Sequence, residues 1–293
     1  MLTLHQSPTD PAFVQDPYPF YARARAQGAL FHWADYGMPA AVSHAAVNTI
    51  LRDRRFGREE PSETRADPPG HLAAFYGVEA HSMLELEPPR HTRLRGLVLR
   101  AFTARRIAAL EPEIAALAHA LIDTLPGGPV DLLPTFARHI PVIVIARLLG
   151  VPESMADQLL AWSNAMVGMY QARRTPAMEA AANTAAAEFA AFLRGYVEER
   201  RSRPADDLIT HLIAAEAEGE RLTTDELIST CILLLNAGHE ATVHTMGNGI
   251  RALLRHRTPP EALAPARIAA TVEEILRYDP PLHLFTRWAY EDV

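Results

Sequence analysis

The sequence contains a single cysteine and no long apolar run, and each shortage excludes a class of protein. Cys231 has no second cysteine to pair with, so a fold held by internal disulfides is excluded. No stretch reaches the roughly 18 uninterrupted apolar residues of a membrane-spanning helix. The opening segment "MLTLHQSPTDPAF" lacks the basic and then apolar order of a secretion signal. We therefore expect a cytoplasmic protein, with Cys231 buried as a small apolar side chain.

Basic residues are too few for a general nucleic-acid binder. The chain has 28 Lys and Arg against 35 Asp and Glu, a net charge of −7 at pH 7, whereas nucleic-acid-binding surfaces are basic. Apolar residues make up 48% and charged residues 22%, which is typical of a globular protein. The 293 residues are enough for one large domain or two smaller ones. Because no linker or low-complexity tract interrupts them, we expect one domain over residues 1–293.

Apolar residues recur at helical spacing in most of the chain, which predicts a mainly α fold. In Ala104 to Leu125 the stripe includes Ile107, Leu110, Ile114 and Leu117. Strand patterns are short and few, near Ala41 and near His283. Further helices are predicted at Tyr18 to Gln27, His91 to Phe102, Pro134 to Leu149, Met155 to Met169, Pro176 to Arg200 and Asp206 to Ala217.

The segment "NAGHEATVH", Asn236 to His244, is the least helix-like part of a long helical pattern. A His-Glu pair with a second His suggests a zinc site, but His239 and His244 are five residues apart and point about 140° apart on a helix. They cannot chelate one ion. The helix is expected to begin at a capping box formed by Thr223 and Glu226 and to run to about Arg255. Its polar centre indicates either a ligand site or a kink packed against a neighbour.

Three further stretches carry residue pairs that say little individually. In "EPPRHTRLRGLVLRAFTARRI", His91 and Arg95 lie at i and i+4, so both can donate to one anion or form a solvated basic face. In "TVEEILRYDPP", Glu274 and Arg277 are spaced for an ion pair. In "HLFTRWAYEDV", Arg287 follows a double proline in a predicted strand.

Taken together and in this order, these segments resemble the cytochrome P450 family in its soluble bacterial form. The N-terminal "DPYPFYARAR" adds to the match, which covers the chain from about Asp16 to its end. The resemblance implies a mainly α cytochrome P450 fold with a small β-sheet and a haem b cofactor. It also implies a haem-thiolate monooxygenase that inserts one oxygen atom of O2 into a small apolar substrate, with electrons from a ferredoxin-type partner.

The resemblance also assigns roles to individual residues. His91, Arg95 and Arg287 match positions that hold the haem propionates. Ala237 and Gly238 match the small residues that face the oxygen-binding side of the haem. Glu274 and Arg277 match a structural ion pair, which we expect to be buried and costly to break.

The catalytic positions depart from the family pattern at one residue. Glu240 matches the acid of the proton relay. The Thr that usually follows is replaced by Ala241, and Thr242 lies one step later, about 100° further around the helix. We therefore expect Glu240 and Thr242, with a water or a substrate hydroxyl, to deliver protons.

The family's thiolate loop, Phe-Gly-x-Gly-x-His-x-Cys-x-Gly, is absent from the 293 residues. Cys231 cannot replace it, because it precedes Glu240 on the same helix within an apolar run. We expect an incomplete family member that lacks the C-terminal haem-ligand part and is inactive as it stands. The alternative is a haem-free, P450-like binding or scaffold protein. The basic residues Arg93, Arg100, Arg105 and Arg106 form either a docking face for an acidic redox partner or a solvated face.

Overall fold

The computed structural model describes residues 1–102, 104–171, 173–217 and 219–293, without the side chains of residues 104–106, 216 and 217. Its Cα positions form two compact units. The smaller contains Met1–Arg65 and Thr286–Val293, and the larger contains Ala66–Phe285. The expectation of one domain over the whole chain remains a prediction.

The smaller unit is built on a three-stranded sheet. Its strands are β1 (Thr3–Leu4), β2 (Leu30–Trp33) and β3 (Met38–Ala41), with β1 parallel and β3 antiparallel to the central β2. The unit's helices are α1 (Pro11–Gln15), α2 (Tyr18–Gln27) and α3 (His44–Arg52). Strand β4 (Phe56–Gly57) pairs with β7 (Trp288–Ala289). Phe20, Ala24, Phe31 and Trp33 form a separate small core in which Phe20 and Phe31 meet edge to face and Trp33 is tilted against both.

The larger unit is almost entirely helical. One short hairpin, β5 (Glu216–Ala217) and β6 (Glu220–Arg221), precedes its longest helix. Short 3-10 turns occur at Gly70–Leu72, Met83–Glu85, Glu153–Met155, Gly168–Tyr170 and Pro260–Leu263. The helices are α4 (Ala73–Glu79), α5 (Arg90–Ala101), α6 (Ala104–Asp123), α7 (His139–Leu149), α8 (Ala156–Val167), α9 (Pro176–Ser202), α10 (Leu208–Ala214), α11 (Thr224–Arg255) and α12 (Ile268–Tyr278).

Helix α11 begins where the sequence predicts. The Thr223 hydroxyl accepts from the Glu226 N–H at 3.2 Å, and the Glu226 carboxylate accepts from the Thr223 N–H at 2.9 Å. These two bonds complete the capping box, because each satisfies a backbone donor that the first helical turn leaves free. The first half of the helix is buried and packs on α7, α8 and α9.

The apolar face of α6 is only partly covered. Leu117 is buried, whereas Ile107 and Ile122 are about half exposed. The mainly α class is confirmed, but the periodic stripe did not indicate how much of this face would be covered.

The predicted helix at Pro134 to Leu149 is interrupted. Residues Leu133–Ala137 form one π-helical turn before α7 begins at His139. Pro134 lacks an N–H donor, which weakens the regular hydrogen-bond pattern at this point. The turn places Leu133 against α11, where an added Cβ on Gly247 would lie 2.8 Å from the Leu133 side chain.

Candidate functional site

The centre of α11 directs its polar side chains to different surroundings. His239 is buried and His244 is exposed, so the two imidazoles do not share a site. No group of three or more metal-ligating side chains occurs in the part of the chain that the structure describes. The exclusion of a zinc site shared by the two histidines remains a prediction.

Gly238 permits close packing between α11 and α7. A Cβ at this position would lie 2.8 Å from Cδ1 of Ile145, which is closer than carbon atoms normally approach. This contact accounts for the glycine by helix packing, and the helix continues without a break from Thr224 to Arg255. Ala237, one residue earlier, is exposed. The expected role of both residues facing the oxygen-binding side remains a prediction.

The Thr242 hydroxyl is tied to its own helix. Its Oγ1 donates to the Gly238 carbonyl at 2.8 Å, and Thr245 Oγ1 donates to the Ala241 carbonyl at 2.7 Å. A hydroxyl whose hydrogen is used in this way still has lone pairs that accept a hydrogen bond. Thr242 is therefore arranged to accept a hydrogen bond from a partner, and its hydroxyl must rotate before it can donate one to that partner.

Glu240 lies half-buried on α11. Burial raises the pKa of its carboxyl group, and the nearby His244 lowers it by a smaller amount. A raised pKa favours the protonated carboxyl, which is the form that can donate a proton. This is the property expected of the relay acid.

An apolar cavity of about 550 Å3 extends from the centre of α11 toward α12. Ala241 and Thr242 lie at one end of it, and Val272, Ile275 and Leu276 of α12 form the opposite wall. Gly249 keeps the helices close, because a Cβ there would lie 2.8 Å from the Ile275 side chain. The sequence interpretation did not identify this α12 wall, although its apolar spacing at i, i+3 and i+4 would have indicated it.

His91 and Arg95 lie one turn apart on α5. Arg95 is exposed and His91 is half-buried, and neither side chain has a hydrogen-bond or ion-pair partner among the described residues. Both are therefore free to bind an anion.

Arg93, by contrast, is occupied. Its guanidinium makes two bonds to Glu226 at 3.0 and 3.1 Å and a contact of 2.5 Å to Glu220. Arg93 is therefore paired within the chain, and its part in a docking face remains a prediction. Arg100 is exposed, and the side chains of Arg105 and Arg106 lie outside the described residues.

The Glu274–Arg277 pair forms, but in solvent. Arg277 makes a bidentate contact with Glu274 at 2.6 and 2.7 Å, and the two side chains are 60% and 68% exposed. The expected ion pair is present, and the expectation that it is buried was wrong. An exposed pair is well solvated and stabilises little. Spacing along a helix predicts which side chains meet, but it does not predict what covers them.

Arg287 belongs to the smaller unit, next to β7. Its guanidinium donates to the Thr286 carbonyl at 2.8 Å. His91 and Arg95 belong to the larger unit, so a joint action of the three residues remains a prediction.

Cys231 is buried in the core of the larger unit. Burial raises the pKa of its thiol to about 12, with a smaller contribution from Asp207. A metal ligand must be the thiolate, so Cys231 is unsuited to bind iron. The expectation that it is a buried apolar side chain is confirmed.

The family model for cytochrome P450 matches residues 56–264. The chain belongs to the cytochrome P450 family. It is 38% identical to vitamin D(3) 25-hydroxylase of Pseudonocardia autotrophica, covering 96% of this chain and 69% of that protein. It is 36% identical to the cytochrome P450 monooxygenase PikC of Streptomyces venezuelae, covering 94% and 65%. The chain thus spans about two thirds of the length of these relatives.

Solved P450 structures have the same fold. One is P450BioI in complex with acyl carrier protein ligated to hexadec-9Z-enoic acid, with a TM-score of 0.88, 31% identity, and coverage of 96% of this chain and 73% of that one. The mainly α P450 fold predicted from the sequence is therefore confirmed. None of the described helices is long and apolar enough to cross a membrane.

The described residues fit a P450 haem in two respects and fail in a third. The cavity beside Ala241 and Thr242 is apolar, as the macrocycle requires. The free donors of His91 and Arg95 suit carboxylates such as propionates. The only cysteine in the sequence is the buried, protonated Cys231. No cysteine among the 293 residues is therefore suited to supply the thiolate that would hold the haem iron.

Proposed function

We propose that these residues form the oxygen-side and propionate-binding parts of a haem-thiolate monooxygenase that oxidises a small apolar substrate with O2. The observation that carries this proposal is the pair of unpartnered donors, His91 and Arg95, one turn apart on α5. Two donors one turn apart can bind the same carboxylate, whereas basic residues that only face solvent do not require this spacing. Haem b, when bound with a cysteine thiolate, supplies the activation of O2.

The protein's part in the reaction is to hold the cofactor and to move protons. His91, Arg95 and Arg287 neutralise the propionates. Glu240 provides a carboxyl group close to the centre of α11, and its burial favours the protonated form by raising its pKa. Thr242 accepts from a water or a substrate hydroxyl while its own hydrogen is bonded to Gly238.

The same proposal makes residues 1–293 inactive without another source of thiolate, because Cys231 is not available. In the complete enzyme, electrons come from a ferredoxin-type partner. Of the arginines expected in the docking face, Arg100 is exposed and has no partner among the described residues. We place the protein in the cytoplasm, in keeping with its bacterial P450 relatives.

The propionate assignment is tested by haem retention. In the full-length protein, Arg95→Leu is expected to lower haem occupancy, because the charge-assisted bonds to a propionate are lost. Arg100→Leu on the same helix is the matched control, since Arg100 is also exposed and without a partner among the described residues. Equal haem occupancy in the two variants, with unchanged helical content, would contradict the assignment.

The alternative, a haem-free binding or scaffold protein, makes a different prediction. The coding sequence after Val293 would then contain no thiolate loop, and the parent protein would not retain haem. If the full-length protein retains haem and its coding sequence contains a thiolate loop in frame, the monooxygenase proposal is supported.

A further inference from the structure

A second cavity lies between α7, α8 and α11, apart from the apolar cavity beside α12. Its volume is about 280 Å3. Three polar side chains line it, Arg138 at the start of α7, Asn164 on α8 and His239 on α11, together with the apolar Leu133, Leu160 and Val243. It therefore has both hydrogen-bonding groups and an apolar wall, which is typical of sites for small organic ligands.

The polar groups at this cavity are not satisfied by the protein. His239 is only 4% exposed, yet neither Nδ1 nor Nε2 has a hydrogen-bond partner. Buried polar atoms are almost always paired, because leaving one unpaired costs about 1 to 3 kcal/mol. Because the His239 ring lines a cavity and both of its nitrogens are unpaired, a bound molecule can supply the missing hydrogen-bond partner.

The cavity is also unbalanced in charge. The Arg138 guanidinium has no ion-pair partner among the described residues, and no acidic side chain is among those that line the cavity. Burial lowers the pKa of His239, and the charges of His244 and Arg138 lower it further. The Arg138 backbone opposes this shift, although it does not form a hydrogen bond of normal geometry with the ring. The ring is therefore neutral at pH 7 and keeps one N–H donor.

Two further polar atoms on the same helices are buried without a hydrogen-bond partner. Ser163 Oγ, next to Asn164 on α8, and Asn236 Oδ1, one turn before His239 on α11, are also buried without a partner. The α8 and α11 helices pack on each other. Neither residue is among those that line the cavity, so His239 is the unpaired buried group that a molecule bound there would reach.

We propose that this cavity binds a short-chain carboxylate, with Arg138, Asn164 and His239 donating to the carboxylate and Leu133, Leu160 and Val243 surrounding its alkyl chain. A carboxylate matches the planar donors of a guanidinium. A cation is disfavoured because the only charged group that lines the cavity is Arg138. The site lies on the α7 and α8 side of α11 and does not depend on the proposed haem chemistry.

The probe is sodium butyrate, added to the full-length protein labelled with 15N in its histidines. If haem is bound, the reduced carbon monoxide form is used because it is diamagnetic. Butyrate is expected to shift the His239 ring resonances with a saturable dependence, and butan-1-ol and butylammonium at equal ionic strength are not. The His239 signals are assigned from their absence in His239→Leu.

Variants locate the site. Arg138→Gln is expected to weaken butyrate binding about tenfold or more, as removal of a charge-assisted bond predicts. Arg255→Gln, an exposed arginine elsewhere on α11, is the matched control, and His119→Leu is the control for His239→Leu. Because Arg138 is exposed, its substitution is expected to leave folding intact, which thermal unfolding checks.

Three outcomes overturn the proposal. One is that the His239 resonances do not shift at butyrate concentrations up to about 0.1 M, which is about a hundred times a millimolar dissociation constant. Another is binding that Arg138→Gln and Arg255→Gln weaken equally. The third is butan-1-ol binding as tightly as butyrate, which would make the cavity an apolar one with no role for the anion.

Discussion

The substitution Asp207→Ala is predicted to destabilise the larger unit strongly, because one buried carboxylate bonds to both α9 and α10. Asp207 is 3% exposed. Its Oδ2 accepts from Arg200 Nε at 2.5 Å, and its Oδ1 accepts from the Thr210 N–H at 2.8 Å, which caps α10. Arg200 also donates to the Gly150 carbonyl at 3.1 Å. The carboxylate thus joins α9 to α10, and its partner Arg200 also bonds to the end of α7.

The magnitude follows from these contacts. Removing one member of a buried ion pair costs about 3 to 5 kcal/mol, and losing a helix N-cap costs about 1 kcal/mol. The Arg200 side chain is 13% exposed and can turn its charge toward solvent while it stacks on Tyr196. The two effects share one carboxylate and do not simply add. We therefore expect a loss of about 3 to 4 kcal/mol in the free energy of unfolding.

Urea denaturation followed by circular dichroism measures this loss. Asp206→Ala is the matched control, because the neighbouring side chain is 96% exposed and its removal is expected to change stability by less than about 0.5 kcal/mol. Asp207→Asn keeps an acceptor for the α10 cap and should lie between the two. A loss below about 1 kcal/mol for Asp207→Ala would refute the role given to this carboxylate.

Three further predictions follow from single contacts. Burial raises the pKa of Glu79 to about 7, although the Tyr170 hydrogen bond opposes the shift. The folded chain therefore keeps a proton that the unfolded chain releases above pH 4.5, so the free energy of unfolding falls as the pH rises from that value to about 7. Glu79→Gln should flatten this slope in unfolding measured between about pH 5 and 7.5. Gly150→Ala should destabilise by about 2 kcal/mol or more in thermal unfolding, since φ is +80° and a Cβ would meet the Asp207 carboxylate; an unchanged midpoint contradicts this. In the complete haem-loaded enzyme, Glu240→Gln should lower the yield of product per electron consumed, and undisturbed turnover and coupling would remove Glu240 from the relay.

Helix boundaries were predictable where local chemistry sets them. The α2 helix covers Tyr18–Gln27 as expected, and α11 begins after the Thr223 cap. The α10 helix is shorter than the predicted Asp206 to Ala217, because Asp207 is its cap and Ala214 its last residue. Strand β2 was not predicted, since four residues give too short a pattern to distinguish from a loop.

The candidate site was predictable in its residue types and less so in its surroundings. The His91 and Arg95 spacing correctly indicated two donors on one face. It did not indicate that Arg93 would bind Glu226, 133 residues later. The two small residues at the centre of α11 also resemble a ligand site in sequence, whereas Gly238 packs on Ile145. Long-range contacts of this kind leave no periodic trace in the sequence.

The reduced carbon monoxide spectrum tests the central claim most directly. It should be recorded for residues 1–293 reconstituted with haem and for the full-length protein under the same conditions. We expect a thiolate-type Soret band from the full-length protein and none from residues 1–293, because Cys231 is buried and its thiol pKa is about 12. A thiolate-type band from residues 1–293, lost on Cys231→Ser, would contradict this account.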